Sequence, residues 1–181
     1  MAVLKVGNHL AAECGLQMWN GVIIVFVLAA ALADMRWRRI PRLLTLSALL
    51  TGLIVHWTRG DFWSAAAAAL LGFAIGLSFF SLGAIGGGDV KLITALGAML
   101  GFGPWAFAME IAVLAAAAMA IVQIIRRRVV VQTLRNLLTI LKAWLTSGLR
   151  AHPAINVQNA SMVRSPFAVA VAVGTLYALF R

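Results

Sequence analysis

Long apolar runs set the terms for this chain. Several of them approach the roughly 20 residues that an α-helix needs to cross a bilayer, and 63% of the 181 residues are hydrophobic. A mean hydropathy of +0.98 agrees with that pattern. The chain reads as an all-α, polytopic membrane protein with a single membrane-embedded domain over residues 1–181. Its core is then the packing between helices, with little room for a separate soluble module.

Six spans are expected, at about 16–33, 43–57, 62–82, 89–102, 105–125 and 165–180. The first resembles a signal peptide in one respect, since Ala31-Leu32-Ala33 has the small-x-small form of a cleavage site. Its charge order is reversed, however, because the basic cluster Arg36, Arg38, Arg39 and Arg42 follows the apolar run, so a retained span is expected. The third span carries Gly72 and Gly76, a small-xxx-small spacing that lets helices approach closely. The fourth is short for a full crossing and is expected to lie tilted or sunk among its neighbours, with Pro104 ending its helix. Between spans five and six, Leu134, Leu137, Leu138, Leu141, Leu145 and Leu149 recur at helical steps, which reads as an amphipathic helix over 132–150 on the inner surface.

The net charge of +10 would first suggest nucleic acid, but the basic residues sit beside apolar spans rather than along a soluble face, so no nucleic-acid partner is expected. They orient the chain instead. With six spans and both termini outside, twelve of the 15 Lys and Arg residues fall on the inner side, and only Lys5, Arg59 and Arg181 fall outside. A lone cysteine, Cys14, rules out an internal disulfide, and the three histidines, His9, His56 and His152, are too scattered for a metal site, so neither metal nor cofactor is expected.

Against this background the acids stand out, for there are only five. Asp34 ends span one and Asp89 opens span four, and the intervening pair of crossings returns both to the cytoplasmic edge. Gly86, Gly87 and Gly88 precede Asp89, and their lack of Cβ atoms suggests unusual backbone geometry and room for a second chain. Two carboxylates sharing a site do not both ionise easily and so hold one proton between them. That is aspartic-protease chemistry, in which one acid takes a proton from the attacking water and the other donates to the carbonyl oxygen.

These residues carry a family resemblance. Asp34-Met35-Arg36-Trp37-Arg38-Arg39-Ile40-Pro41 and Gly86-Gly87-Gly88-Asp89-Val90-Lys91-Leu92 resemble the two motifs of the prepilin peptidase family of GxGD membrane aspartic proteases. The resemblance implies catalytic roles for Asp34 and Asp89; Gly86, Gly87 and Gly88, for their open backbone, and Lys91, for its charge beside Asp89, are the candidate substrate-binding residues. It also implies a prepilin or pseudopilin substrate whose basic leader is removed just before an apolar helix, at the cytoplasmic face of the bacterial inner membrane. The family usually has Asn after Ile-Pro, where this chain has Arg42. It has no cysteine pair and no room for a methylating insert, and so resembles the short, peptidase-only form associated with tight-adherence, Flp-type pili.

Blander roles fit some of the same residues. Asp34 suits a helix end paired with Arg38 or Arg39, Asp89 suits an N-cap for span four, and Lys91 suits a snorkelling cation. Glu110, inside span five, has no assigned role. A small transporter or ion-conducting protein using Asp34 and Asp89 is the alternative function, but such proteins tend to show internal repeats or mid-membrane acids, and both aspartates sit at one edge.

Overall fold

A computed structural model describes residues 2–37, 41–126, 135 and 167–181. The described residues form six helices: α1 (Ala2–Trp37), α2 (Arg42–Thr58), α3 (Phe62–Ser81), α4 (Gly87–Leu100), α5 (Phe102–Arg126) and α6 (Phe167–Phe180). Three segments are long and apolar enough to cross a membrane, Gln17–Arg36, Phe62–Ser81 and Phe102–Arg126. Hydrocarbon cannot satisfy a free backbone N–H or C=O, which is why runs of this composition fold as helices. Their outward faces are apolar, with Leu70, Phe73, Ile75 and Phe79 of α3 all exposed, as in a bundle solvated by lipid. The expected amphipathic helix over 132–150 lies outside the described residues except for Arg135.

The bundle is arranged around α4. From Val90 to Leu100 every residue of this helix is buried except Lys91 and Thr94. At 14 residues it is about 21 Å long, shorter than the roughly 30 Å of hydrocarbon. It is sunk among its neighbours, packing chiefly on α3 and α2.

Small residues set the close approaches. The predicted Gly72–Gly76 pair faces α4: a Cβ on Gly76 would lie 3.1 Å from Val90 Cγ1, and one on Gly72 3.1 Å from Ile93 Cγ2. Further along, a Cβ on Gly97 would meet the Ala68 backbone at 2.6 Å, and one on Gly52 of α2 would meet the Ala98 carbonyl oxygen at 2.6 Å. These contacts fix α3 antiparallel to α4. Gly174 plays the same part between α6 and α5, where it abuts Ala108 and Ala112.

The helix ends explain the turns. Both α2 and α3 finish in Schellman motifs, with Gly60 and Gly83 at φ +79° and +73°. At the second of these, Ala84 N–H donates to Phe79 O at 2.9 Å and Gly83 N–H to Phe80 O at 2.9 Å. Pro104 does not terminate α4. Gly101, at φ +72°, ends that helix, and Pro104 sits in the first turn of α5, where its missing N–H costs nothing. At this same end Met99 O, one of the carbonyls a helix terminus leaves free, accepts from Trp19 Nε1 at 3.1 Å and lies 3.2 Å from His56 Nε2. That ties α1 and α2 to the end of α4 remote from Asp89.

Candidate active site

The opposite end of the bundle brings together the C-terminal end of α1, the N-terminus of α4 and the N-terminus of α6. Asp34 lies one turn before the end of α1 and is half-buried. Its Oδ2 accepts from the backbone N–H of Ala168 at 3.4 Å. Ala168 is the second residue of α6, so its N–H is one of those a helix start cannot satisfy internally. The carboxylate thus reaches across 134 residues of sequence to the positive end of another helix.

Asp89 is also half-buried, and it belongs to the first turn of α4. It is not the N-cap, a position held by Gly86 with φ −83° and ψ 155°. Asp89 is the third helical residue, and its Oδ2 folds back to accept from Gly86 N–H at 3.1 Å. This is the acidic half of a capping box. The reciprocal half is impossible, because glycine offers no side-chain oxygen.

Gly86, Gly87 and Gly88 do not supply the unusual backbone expected of them. Gly86 is ordinary extended chain, and Gly87 and Gly88 begin the helix. The left-handed residue is Gly83, three positions earlier, because that is where α3 must stop. What Gly86 does supply is space, since a Cβ there would lie 3.3 Å from Asp89 Oδ2, against the oxygen that folds back onto its own N–H. Gly87 is exposed, leaving open backbone beside the carboxylate.

Asp34 and Asp89 lie at the same end of the bundle, since Trp19, earlier on α1, meets Met99 at the far end of α4. Residues 38–40, which complete the first motif, lie outside the described residues.

Residues 21–121 match the model of the type IV leader peptidase family, a stretch that includes both aspartates and the whole of α2, α3 and α4. The chain belongs to that family. It is therefore an aspartic-type prepilin peptidase, a class of membrane enzyme that removes leader peptides. No curated protein and no solved structure gives a match. Ala168, which holds Asp34 in the peptidase, lies outside the matched stretch.

Lys91 lies apart from the two acids. Two residues along α4 from Asp89 is more than half a helical turn, so it projects from a different face, where it lines a groove with Arg42 and Thr45 of α2. Glu110 is exposed on α5. Sequence reasoning overlooked two groups: Ala168, whose contact with Asp34 leaves no local signal, and Thr94, which follows Lys91 by one turn and shares its groove.

Proposed function

We propose that Asp34 and Asp89 together hydrolyse the peptide bond that joins a basic leader to the apolar helix of a prepilin-like, Flp-type substrate. The reaction takes place at the cytoplasmic edge of the bacterial inner membrane. The observation that supports this reading is the placement of both acids at one end of the bundle, inside the stretch matched by the leader peptidase family.

The ionised carboxylate takes a proton from water as its oxygen attacks the scissile carbonyl carbon, while the protonated one donates to the carbonyl oxygen. Collapse of the tetrahedral intermediate breaks the C–N bond, and the leaving amine takes up a proton from the pair. A helical substrate would shield its carbonyls in backbone hydrogen bonds, so the scissile segment must be extended. An edge site eases this, because the leader lies outside hydrocarbon and the exposed backbone of Gly87 leaves room beside Asp89.

The test is co-expression of the wild type, Asp34→Asn and Asp89→Asn with a leader-bearing prepilin, followed by gel shift and sequencing of the new amino terminus. Cleavage at one position by the wild type alone is expected. Near-normal processing by either variant, at equal abundance, would overturn the assignment.

A further inference from the structure

Lys91 and Thr94 are the two residues that interrupt the burial of α4 between Val90 and Leu100, and they are one turn apart. They open onto a groove of about 330 Å³ whose other walls are Arg42, Thr45, Leu46 and Leu49 of α2 and Phe73 of α3. The α2 residues follow steps of three, one and three, a single stripe along that helix.

The two cations are gathered at one end of this groove. Arg42 is the first residue of α2 and Lys91 the fifth of α4, so both cations lie toward the end of the bundle that holds Asp34 and Asp89. Leu49 is seven residues farther along α2, about 10 Å deeper, and Leu46 and Phe73 continue onto the exposed apolar surface. Both threonine hydroxyl protons are committed to their own helices, Thr45 Oγ1 donating to Arg42 O at 3.1 Å and Thr94 Oγ1 to Val90 O at 2.7 Å. No acid lines the groove, and neither Arg42 nor Lys91 has an ion-pair partner among the described residues. The donors left for a ligand are two cations, above an open apolar groove.

We propose that this groove binds an anionic phospholipid, its phosphate held by Arg42 and Lys91 and one acyl chain lying along Leu46, Leu49 and Phe73. Basic pockets between membrane helices on the cytoplasmic side favour such headgroups. The substrate fits less well, because its leader is basic, which Arg42 and Lys91 repel. A free anion would leave the apolar part unused. The lipid would brace α2 against α4 on the face of α4 turned away from Asp89.

The experiment is native mass spectrometry of the purified full chain in detergent with equimolar phosphatidylglycerol and phosphatidylcholine of identical acyl chains, counting retained lipid. Wild type is expected to retain phosphatidylglycerol preferentially, and Arg42→Gln and Lys91→Gln each to weaken that retention about fivefold. Leu46→Trp, which adds bulk in the groove and keeps both charges, is expected to reduce retention of either lipid. Equal retention of the two lipids by the wild type, or an unchanged preference in the Arg42→Gln/Lys91→Gln double variant, would overturn the proposal. So would displacement of phosphatidylglycerol by millimolar inorganic phosphate, which would make this a free-anion site. Photocrosslinking of the substrate's apolar helix to a probe at Leu49 would likewise assign the groove to substrate.

Discussion

Asp34 and Asp89 are each held at the start of a helix, but in different ways. Asp89 is held by its own helix, through the N–H of Gly86 three residues back. Asp34 is held by α6, through Ala168. The first arrangement is written locally, since an acid at the third position of a helix is a recurrent pattern, and both acids stood out in the sequence because only five of its residues are acidic. The second was not legible, because nothing in the spacing around Asp34 or Ala168 refers to the other. An account in which the acids share a proton makes a demand at this scale. Asp34→Asn or Asp89→Asn should lower the rate of leader removal about 10²- to 10⁴-fold without lowering the amount of protein in the membrane, as measured by immunoblot alongside the cleavage assay. Gly86→Val should also slow cleavage, since a Cβ already lies 3.3 Å from Asp89 Oδ2 and a branched side chain adds bulk there; the kinetics of the purified variant would check it.

Among the elements, α4 depends most on its neighbours. Its small residues face backbone, so the helix can be surrounded on nearly all sides. The Gly72–Gly76 spacing announced the α3 half of this packing, whereas the facing positions Gly97 and Gly52 carried no comparable repeat and emerged only when the helices were brought together. The glycine turn before Asp89 was read as special backbone, yet the positive φ belongs to Gly83, the residue that stops α3. Gly97→Ala should therefore destabilise the bundle by about 1–3 kcal/mol, because the new methyl meets the Ala68 backbone at 2.6 Å. Gly83→Ala should cost about 1–2 kcal/mol for its left-handed geometry. Gly21→Ala, with nothing within 4 Å of the added methyl, should leave stability unchanged or slightly raised. Thermal denaturation in detergent, followed by size-exclusion recovery, ranks the three.

At the scale of the whole molecule, the apolar runs outlined a helical bundle, the bias of basic residues is the ground for the proposed orientation, and the matched family gave the bundle a chemistry. Topology joins the two, since the chain must cross and return between Asp34 and Asp89 for the acids to share an edge. In a Cys14→Ser background, Thr58→Cys should react with a membrane-impermeant maleimide in intact cells, whereas Ser81→Cys should react only after permeabilisation. The reverse pattern would invert the proposed orientation. The central claim is that two acids, 55 positions apart in sequence, act as one catalytic unit, and a double-mutant cycle on the rate of prepilin leader removal tests it most directly. If the account is right, Asp34→Asn/Asp89→Asn is no slower than the slower single variant, because either change already disables the unit. Multiplying losses, or substantial cleavage by either single variant, would mean that the two aspartates do not work together.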